Sequence, residues 1–590
     1  MLGVLVSTAG CGLFRDTGAQ DTATAFLAAW STGDHAAAAA LTDDPDGARE
    51  LLDASRTALH PQSVAATLGQ VRTAADRATA SIDVTWHLER ERTWRYLTEL
   101  QLLPAPETEE GWRVRWAPTV VHPELAPGQL LALRTENPSP APVVDRDGAP
   151  LLSATPVVAV LLDRLAAGNL PAVTGALAEA LSPFDAQITQ ASITEGAART
   201  PDGQAYTVAV LRETDYAGVK DEIHHLPGVR FTTSERLLAP DADFGRQVLT
   251  GVRAEVGEQL EGVPGWSVLV VDGGGNPIRT LVEEEPRSGT TVTVGMDRTL
   301  QAAAEDAVEP VAQQAMLVAV SVSTGDLLAV AQNPAADAEG PLALLGRYPP
   351  GSTFKVVTAT AAMAEDGLTA ATPVPCPATT VIGGRLVPNA GNFALGTVPL
   401  RTAFARSCNT TFAQLAVGLD PGALPAAALR LGIGADYAVP GITTITGSVP
   451  TATDQVLRAE NGFGQGEVLA SPFGVALAAA TVARGAPVVP QLMRDRPTEV
   501  LVPAAVPDPA VLEQLRPMMR AVVTEGTASS LAGLGEVYGK TGTAEFTNDG
   551  RAHGWFMGYR GDVAFAVLVV DGASAAPAVG VAERFLGAIG

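Results

Sequence analysis

Lysine occurs only at Lys220, Lys355 and Lys540 in a chain whose 590 residues include 39 Lys and Arg together, so arginine supplies nearly all of the positive charge. A composition rich in Ala, Gly, Pro and Val accounts for the bias, and the bias singles out the remaining lysines. Arginine stays protonated in proteins, whereas a lysine amine can be driven neutral and used as a base. Lys355 closes the run Tyr348-Pro-Pro-Gly351-Ser352-Thr-Phe-Lys355. The Pro-Pro-Gly segment is a turn, so a helix is predicted from about Ser352, with Phe354, Val357 and Ala361 as its buried stripe. Ser352 and Lys355, three residues apart, then share a helical face, and the amine can reach the hydroxyl. That pairing is the chemistry of a serine nucleophile with a lysine base, and unpaired N–H groups at the helix start lie ready for an oxyanion.

Two further elements suit the same chemistry. Ser407-Cys408-Asn409 reads as a turn between helices, from which one side chain can pass protons while the other holds an amide or a lysine. Lys540-Thr541-Gly542-Thr543 reads as a strand: alternation puts Thr541 and Thr543 on one face, Gly542 leaves room for close backbone approach, and Lys540 offers a cation to a carboxylate. A serine three residues before a lysine is a weak signal, whereas a lysine followed by Thr-Gly arises by composition in only about one case in one or two hundred. Two of the three lysines in these two motifs are therefore informative together. Cys408 inside the second element reads as a small packed residue, because no His lies near it in sequence to activate a thiol.

The elements that must position these residues follow from patterning. Ala23, Phe26, Leu27 and Trp30 recur at helical spacing before Gly33-Asp34, and Ile82, Val84, Trp86 and Leu88 then alternate with polar residues, as do Trp112, Val114 and Trp116. Residues 19–125 are thus predicted to form an α+β module with a curved antiparallel sheet, and its aromatic stripes read as core, although such cones can hold ligands. A Pro-rich stretch near 136–150 opens a second unit, 126–290, of mixed short elements without a chemical constellation. Its cluster Asp221, Glu222, His224 and His225 does not read as a metal site, since adjacent histidines cannot share a helical face. From 291 a large terminal domain is predicted. Asp297 caps a helix reaching about Glu309, and strands Met316 to Ser321 and Leu327 to Ala331 are joined by a turn at Ser323-Thr324-Gly325-Asp326.

Composition narrows the function. Asp and Glu number 64, for a formal charge of -25, and no basic block exists to bind nucleic acid. Cys11, Cys376 and Cys408 read as too few and too scattered for a disulfide framework or a zinc site, and neither metal nor cofactor is implied. Residues 1–18 read as a signal remnant and tether. The apolar start ending in small residues before Cys11 resembles a bacterial lipoprotein signal, which predicts lipid on Cys11 and a gene beginning further upstream with a basic segment.

Ser352-x-x-Lys355, Ser407-x-Asn409 and Lys540-Thr541-Gly542 together resemble the signature of penicillin-binding proteins and serine β-lactamases. Gly464-Gln-Gly-Glu467 and His553-Gly-Trp555-Phe-Met-Gly-Tyr559 extend the resemblance over 291–590 to the transpeptidase domain of class B penicillin-binding proteins. The first module resembles the nuclear-transport-factor-like domain of methicillin-resistance enzymes, and the middle unit their pedestal or dimerisation domain, without the usual opening motif before Asp145. The chain is similar to an actinobacterial penicillin-binding lipoprotein. The resemblance implies an α+β multidomain fold, with a terminal antiparallel sheet between helices, a helical subdomain and an N-terminal cone. It also implies a peptidoglycan D,D-transpeptidase, acylated by β-lactams, held on the outer face of the cell membrane by its lipid and partnered by a membrane glycosyltransferase. Ser352 would attack the D-Ala-D-Ala bond of a stem peptide with Lys355 as base. Ser407 would relay protons, Asn409 would hold the substrate amide and Lys355, and Lys540, Thr541 and Thr543 would receive the substrate carboxylate. The N–H groups of Ser352 and Thr543 would form the oxyanion hole. A D,D-carboxypeptidase, a β-lactamase or β-lactam sensor, and a catalytically silent scaffold share these motifs and remain the alternatives.

Overall fold

The computed structural model describes residues 17–74, 76–546 and 550–590, so the predicted lipid site at Cys11 lies outside the described residues. Compactness groups the chain up to Pro138 with Gly262–Arg287 in one unit, and Ser139–Glu261 with Ser288–Gly590 in another. The sequence-based boundaries at 125/126 and 290/291 do not follow this division. Strand Gly265–Val271 pairs antiparallel with Leu130–Glu136, a union of segments more than a hundred residues apart that no local pattern announces.

In the first unit, helix Gly18–Thr32 buries Ala19, Ala23, Phe26, Leu27 and Trp30 and ends where Gly33 takes φ 77°. The Asp34 side chain then accepts from the N–H of Ala37 and starts the next helix. Four antiparallel strands follow in chain order, Ser63–Thr73, Ala78–His87, Thr93–Pro104 and Trp112–Arg115. The second of them alternates buried and half-buried residues along its length. Trp30, Trp86, Trp94 and Trp112 all enter one buried core, so the aromatic stripes lie in packing. Trp86 Nε1 donates to the Tyr96 hydroxyl at 2.9 Å, which satisfies the indole in that apolar setting.

The second unit begins with a small layer in which strand Pro150–Leu162 pairs with Tyr206–Arg212 and Val229–Leu238. Helices Leu170–Leu181, Gln190–Arg199 and Glu213–Ile223 bury Leu177, Ile193 and Ile223 in one core with Val160 and Leu162. The larger part is built on a five-stranded antiparallel sheet, ordered Leu327–Gln332, Ala315–Ser321, Val563–Val569, Ala552–Arg560 and Tyr538–Glu545. Helix Pro472–Arg484 is buried from Pro472 to Val482, and Ala and Gly at many of its positions allow that close packing. Asp297 caps helix Arg298–Val308 through the N–H groups of Thr299 and Leu300, as its sequence predicts.

Glu305 of that last helix carries an unusual burden. Its Oε1 accepts from the N–H of Gly245 at 2.7 Å and from Gln301 Nε2 at 2.8 Å, while burial, ahead of repulsion from Asp241 and Asp306, pushes its carboxyl up to about 7. A carboxyl raised in the folded state stabilises fully below the unfolded value and loses that contribution as pH rises through about 7. Glu305→Gln keeps both acceptor bonds and cannot ionise. Its stability is expected to exceed wild type at pH 8 by about 1–2 kcal/mol after allowing for partial exposure, read as a higher thermal midpoint, and to match it at pH 4. A gain of equal size at both pH values would show that ionisation is not the cause.

Candidate active site

Ser352 stands in a tight turn that glycine makes possible. Gly351 has φ 53°, and a Cβ there would lie 2.5 Å from the carbonyl oxygen of Thr543. Its N–H donates to the Gly464 carbonyl at 2.8 Å, and a Cβ at Gly464 would in turn strike the Gly351 carbonyl oxygen at 1.9 Å. The turn is thereby pressed between the Thr543 strand and the Gly464 loop. Trp555 Nε1 donates to the Pro349 carbonyl at 2.9 Å and closes it from the sheet side. Contrary to the predicted start at Ser352, residues Gly351–Phe354 form a single turn of 3-10 helix, and the α-helix runs from Lys355 to Asp366. Short 3-10 turns commonly tighten a helix entrance, and here the turn puts the serine just ahead of the lysine.

Lys355 and Lys540 are both fully buried. Lys355 Nζ lies 2.8 Å from Ser352 Oγ, 2.6 Å from Asn409 Oδ1, 3.0 Å from the Ser407 carbonyl and 3.2 Å from Ser407 Oγ. Burial first, then the charge of Lys540, holds its amine well below the usual lysine range. Two of these four neighbours, the Ser407 carbonyl and Asn409 Oδ1, can only accept. A neutral amine has two N–H bonds to give them, which leaves its lone pair for a hydroxyl.

Ser407 ties the two lysines together. Its Oγ also accepts from Lys540 Nζ at 3.0 Å, so it lies within bonding distance of both amines. Its backbone has φ 62°, uncommon for a side chain other than glycine. The reason is the end of helix Leu400–Ala405: the Ser407 N–H bonds to the Phe404 carbonyl and the Cys408 N–H to the Ala403 carbonyl, a Schellman closure whose left-handed position glycine normally fills. A serine there sacrifices of the order of 1 kcal/mol and gains a hydroxyl between the lysines.

Lys540 lies on strand Tyr538–Glu545, where its Nζ also donates to the Thr541 carbonyl at 2.8 Å, and burial pushes its amine down to about 7. Gly542 allows the strand to come close, since a Cβ there would meet the Pro350 carbonyl oxygen at 2.8 Å. The Thr541 hydroxyl is hydrogen-bonded to that of Thr527, a residue the motifs do not mark. Thr543 lies two residues along the same strand face, half-buried. Ser352, Lys355, Ser407, Asn409 and Lys540 thus form one hydrogen-bonded cluster, with Thr541 to Thr543 alongside.

Cys408 requires a correction. It is bonded to Cys376, 32 residues earlier, rather than being a packed free thiol, a single bond that the reading against a disulfide framework did not foresee. Strand Pro373–Cys376 comes to the Cys408 turn only through the fold, so their spacing carried no signal.

Ser352, Lys355, Ser407, Asn409 and Lys540 bring together the kinds of group that serine acyl transfer uses, and comparison gives the class. Residues 315–589 match the penicillin-binding protein transpeptidase domain, and residues 18–129 match the NTF2-like N-terminal transpeptidase domain. The peptidoglycan D,D-transpeptidase PbpA of Mycolicibacterium smegmatis is 31% identical over 353 residues, covering 50% of this chain and 70% of that protein. The peptidoglycan D,D-transpeptidase MrdA of Acinetobacter baumannii is 24% identical over 529 residues, or 73% of this chain and 77% of that protein. In fold, the chain resembles a solved complex between penicillin-binding protein PBP2 and MreC from Helicobacter pylori, with TM-score 0.60 and 18% identity over 78% of this chain and 98% of that one. The chain belongs to the class B penicillin-binding protein transpeptidases.

Proposed function

We propose that this protein is a peptidoglycan D,D-transpeptidase that works through an acyl-enzyme on Ser352. The observation that carries the reading is the set of bonds around Lys355: two obligate acceptors occupy its protons and Ser352 Oγ, at 2.8 Å, faces what remains. As the hydroxyl attacks the carbonyl of the penultimate D-Ala, its proton passes to the amine, which is kept neutral by burial. The developing oxyanion is received by the N–H groups of Ser352 and Thr543. Ser407 Oγ, in contact with both amines, hands a proton from Lys355 to the departing D-Ala nitrogen, and the peptide bond breaks. Asn409 keeps one amide hydrogen for the substrate backbone. Lys540, with the hydroxyls of Thr541 and Thr543, takes the terminal carboxylate, whose charge favours the ammonium form. An amine of a second stem peptide then attacks the ester and gives its proton back through Lys355, completing the cross-link. β-Lactams enter the same path, but their leaving nitrogen stays tethered and blocks the acceptor.

The substrates lie outside the cytoplasm, and a disulfide suits an oxidising compartment. Among the described residues no single helix is long and apolar enough to cross a membrane. Lipid on Cys11 remains the proposed anchor, supported by the small residues Ala9 and Gly10 that precede it. A membrane glycosyltransferase is the proposed partner, because cross-linking acts on strands as they are made.

Intact-mass spectrometry after exposure to benzylpenicillin is expected to add one drug mass per chain, mapped by peptide digestion to Ser352. No adduct, or one on Ser407, would overturn the assignment. Incubation with a D-Ala-D-Ala peptide and an amine acceptor then separates a transpeptidase, which forms the amide product, from a carboxypeptidase, which only releases D-Ala.

A further inference from the structure

Asn389 takes no part in the chemistry above, yet it is only 2% exposed and its side chain is fully engaged. Its Nδ2 donates to the carbonyls of Pro377 at 2.8 Å and Phe393 at 2.9 Å, with Cys376 Sγ at 3.5 Å. Its Oδ1 accepts from the N–H of Thr410 at 3.1 Å. That N–H belongs to the first turn of helix Asn409–Gly418, where backbone donors lack partners within the helix. Asn389 therefore caps this helix from a segment that precedes it by 21 residues.

The residue before it completes the arrangement. The Pro388 carbonyl accepts from Asn409 Nδ2 at 3.2 Å, while the other end of the same amide, Oδ1, takes Lys355 Nζ at 2.6 Å. An amide held at both ends has its orientation decided. Thr410 Oγ1 donates to the Pro377 carbonyl at 2.9 Å and Thr411 Oγ1 to the Pro375 carbonyl at 2.7 Å, and the Cys376–Cys408 bond ties the same two segments. Those bonds fix the backbone of the turn. Among the described residues the Pro388 carbonyl is the partner that takes the other end of the Asn409 amide. The peptide after it donates its N–H to the Ala378 carbonyl at 3.0 Å, and the Asn389 side chain anchors the residue on that peptide to Pro377, Phe393 and Thr410.

We propose that Asn389 is a positioning residue for acylation of Ser352, acting by holding the Pro388 carbonyl where it directs the Asn409 oxygen onto Lys355. The proposal rests on the role given to Asn409 above. Without the clamp the Asn409 amide can turn its NH2 toward the lysine amine, which loses an obligate acceptor. One of its protons is then unplaced, and its lone pair is no longer confined to the Ser352 hydroxyl.

The test is the rate of acylation by fluorescent penicillin, resolved into binding and acylation steps, for Asn389→Ala in the wild type and in an Asn409→Ala background. In the wild type the acylation step is expected to slow on the order of 10- to 100-fold, with binding little changed, as misplacement of a catalytic group does. In the Asn409→Ala background the same change is expected to have no further effect beyond about twofold, because a residue acting through another cannot add to its removal. If Asn389→Ala does not fold, Asn389→Asp keeps the size and the acceptor for Thr410, loses the donors to Pro377 and Phe393, and is put through the same cycle. Wild-type labelling rates for the folded Asn389 variant, or an equal loss in both backgrounds, overturn the proposal. Asn409→Ala labelling at the wild-type rate overturns the role of Asn409 and this proposal with it, whereas a slowed Asn409→Ala beside an unaffected Asn389 variant defeats this proposal alone.

Discussion

Lys355→Arg is expected to lower the rate of Ser352 acylation by about a thousandfold in a chain that still folds. The expectation comes from protons. Nζ of Lys355 gives two N–H bonds to acceptors that cannot reciprocate and keeps a lone pair for Ser352 at 2.8 Å. A guanidinium can fill those acceptors, but it stays protonated and offers no lone pair at any working pH. Lys540→Arg is expected to be milder, on the order of tenfold, because in the proposed mechanism Lys540 serves the substrate carboxylate as a cation rather than as a base. Time courses of fluorescent-penicillin labelling, with circular dichroism to establish folding, compare the two. Equal labelling by both variants and wild type would remove Lys355 as the base.

Loss of the Cys376–Cys408 bond, as Cys376→Ala with Cys408→Ala, is expected to destabilise the transpeptidase unit by roughly 3–4 kcal/mol on the chain-entropy account of a 32-residue loop. Acylation in native buffer should fall far less, because Thr410, Thr411 and Asn389 still join the two segments by hydrogen bonds. The penicillin-labelling capacity that survives graded urea reports this unit selectively in a chain with a second compact unit. Dithiothreitol should move the wild-type curve onto that of the double variant. Coincident curves for all samples without reductant would show that the bond contributes nothing.

These expectations differ in how far the sequence reaches them. Ser352 and Lys355 are joined by a spacing that any helical turn converts into proximity, so their pairing can be read directly. The same holds for Thr541 and Thr543 on a strand, and for helix Arg298–Val308, whose cap and stripe are local. Scarcity of lysine in an arginine-rich chain adds a chemical signal that needs no fold at all.

Other features have no local code. Ser407 reaches both lysines because a left-handed residue closes one helix just before another starts, and glycine, the usual sign of that closure, is absent. Cys376 meets Cys408, and Asn389 caps the helix at Thr410, across stretches whose length says nothing of distance once the chain turns back on itself. Gly265–Val271 forms a local hairpin with Pro277–Glu284, but its other edge pairs with the distant Leu130–Glu136, because the open edge of a strand is satisfied by whichever partner the whole fold brings there. Residue types and short spacings thus carry the reacting groups, since local geometry is set by a few dihedrals. The depression of two lysine amines, the orientation of the Asn409 amide and the tether behind it arise only when distant segments exclude water together, for burial and long-range hydrogen bonding belong to the packed chain.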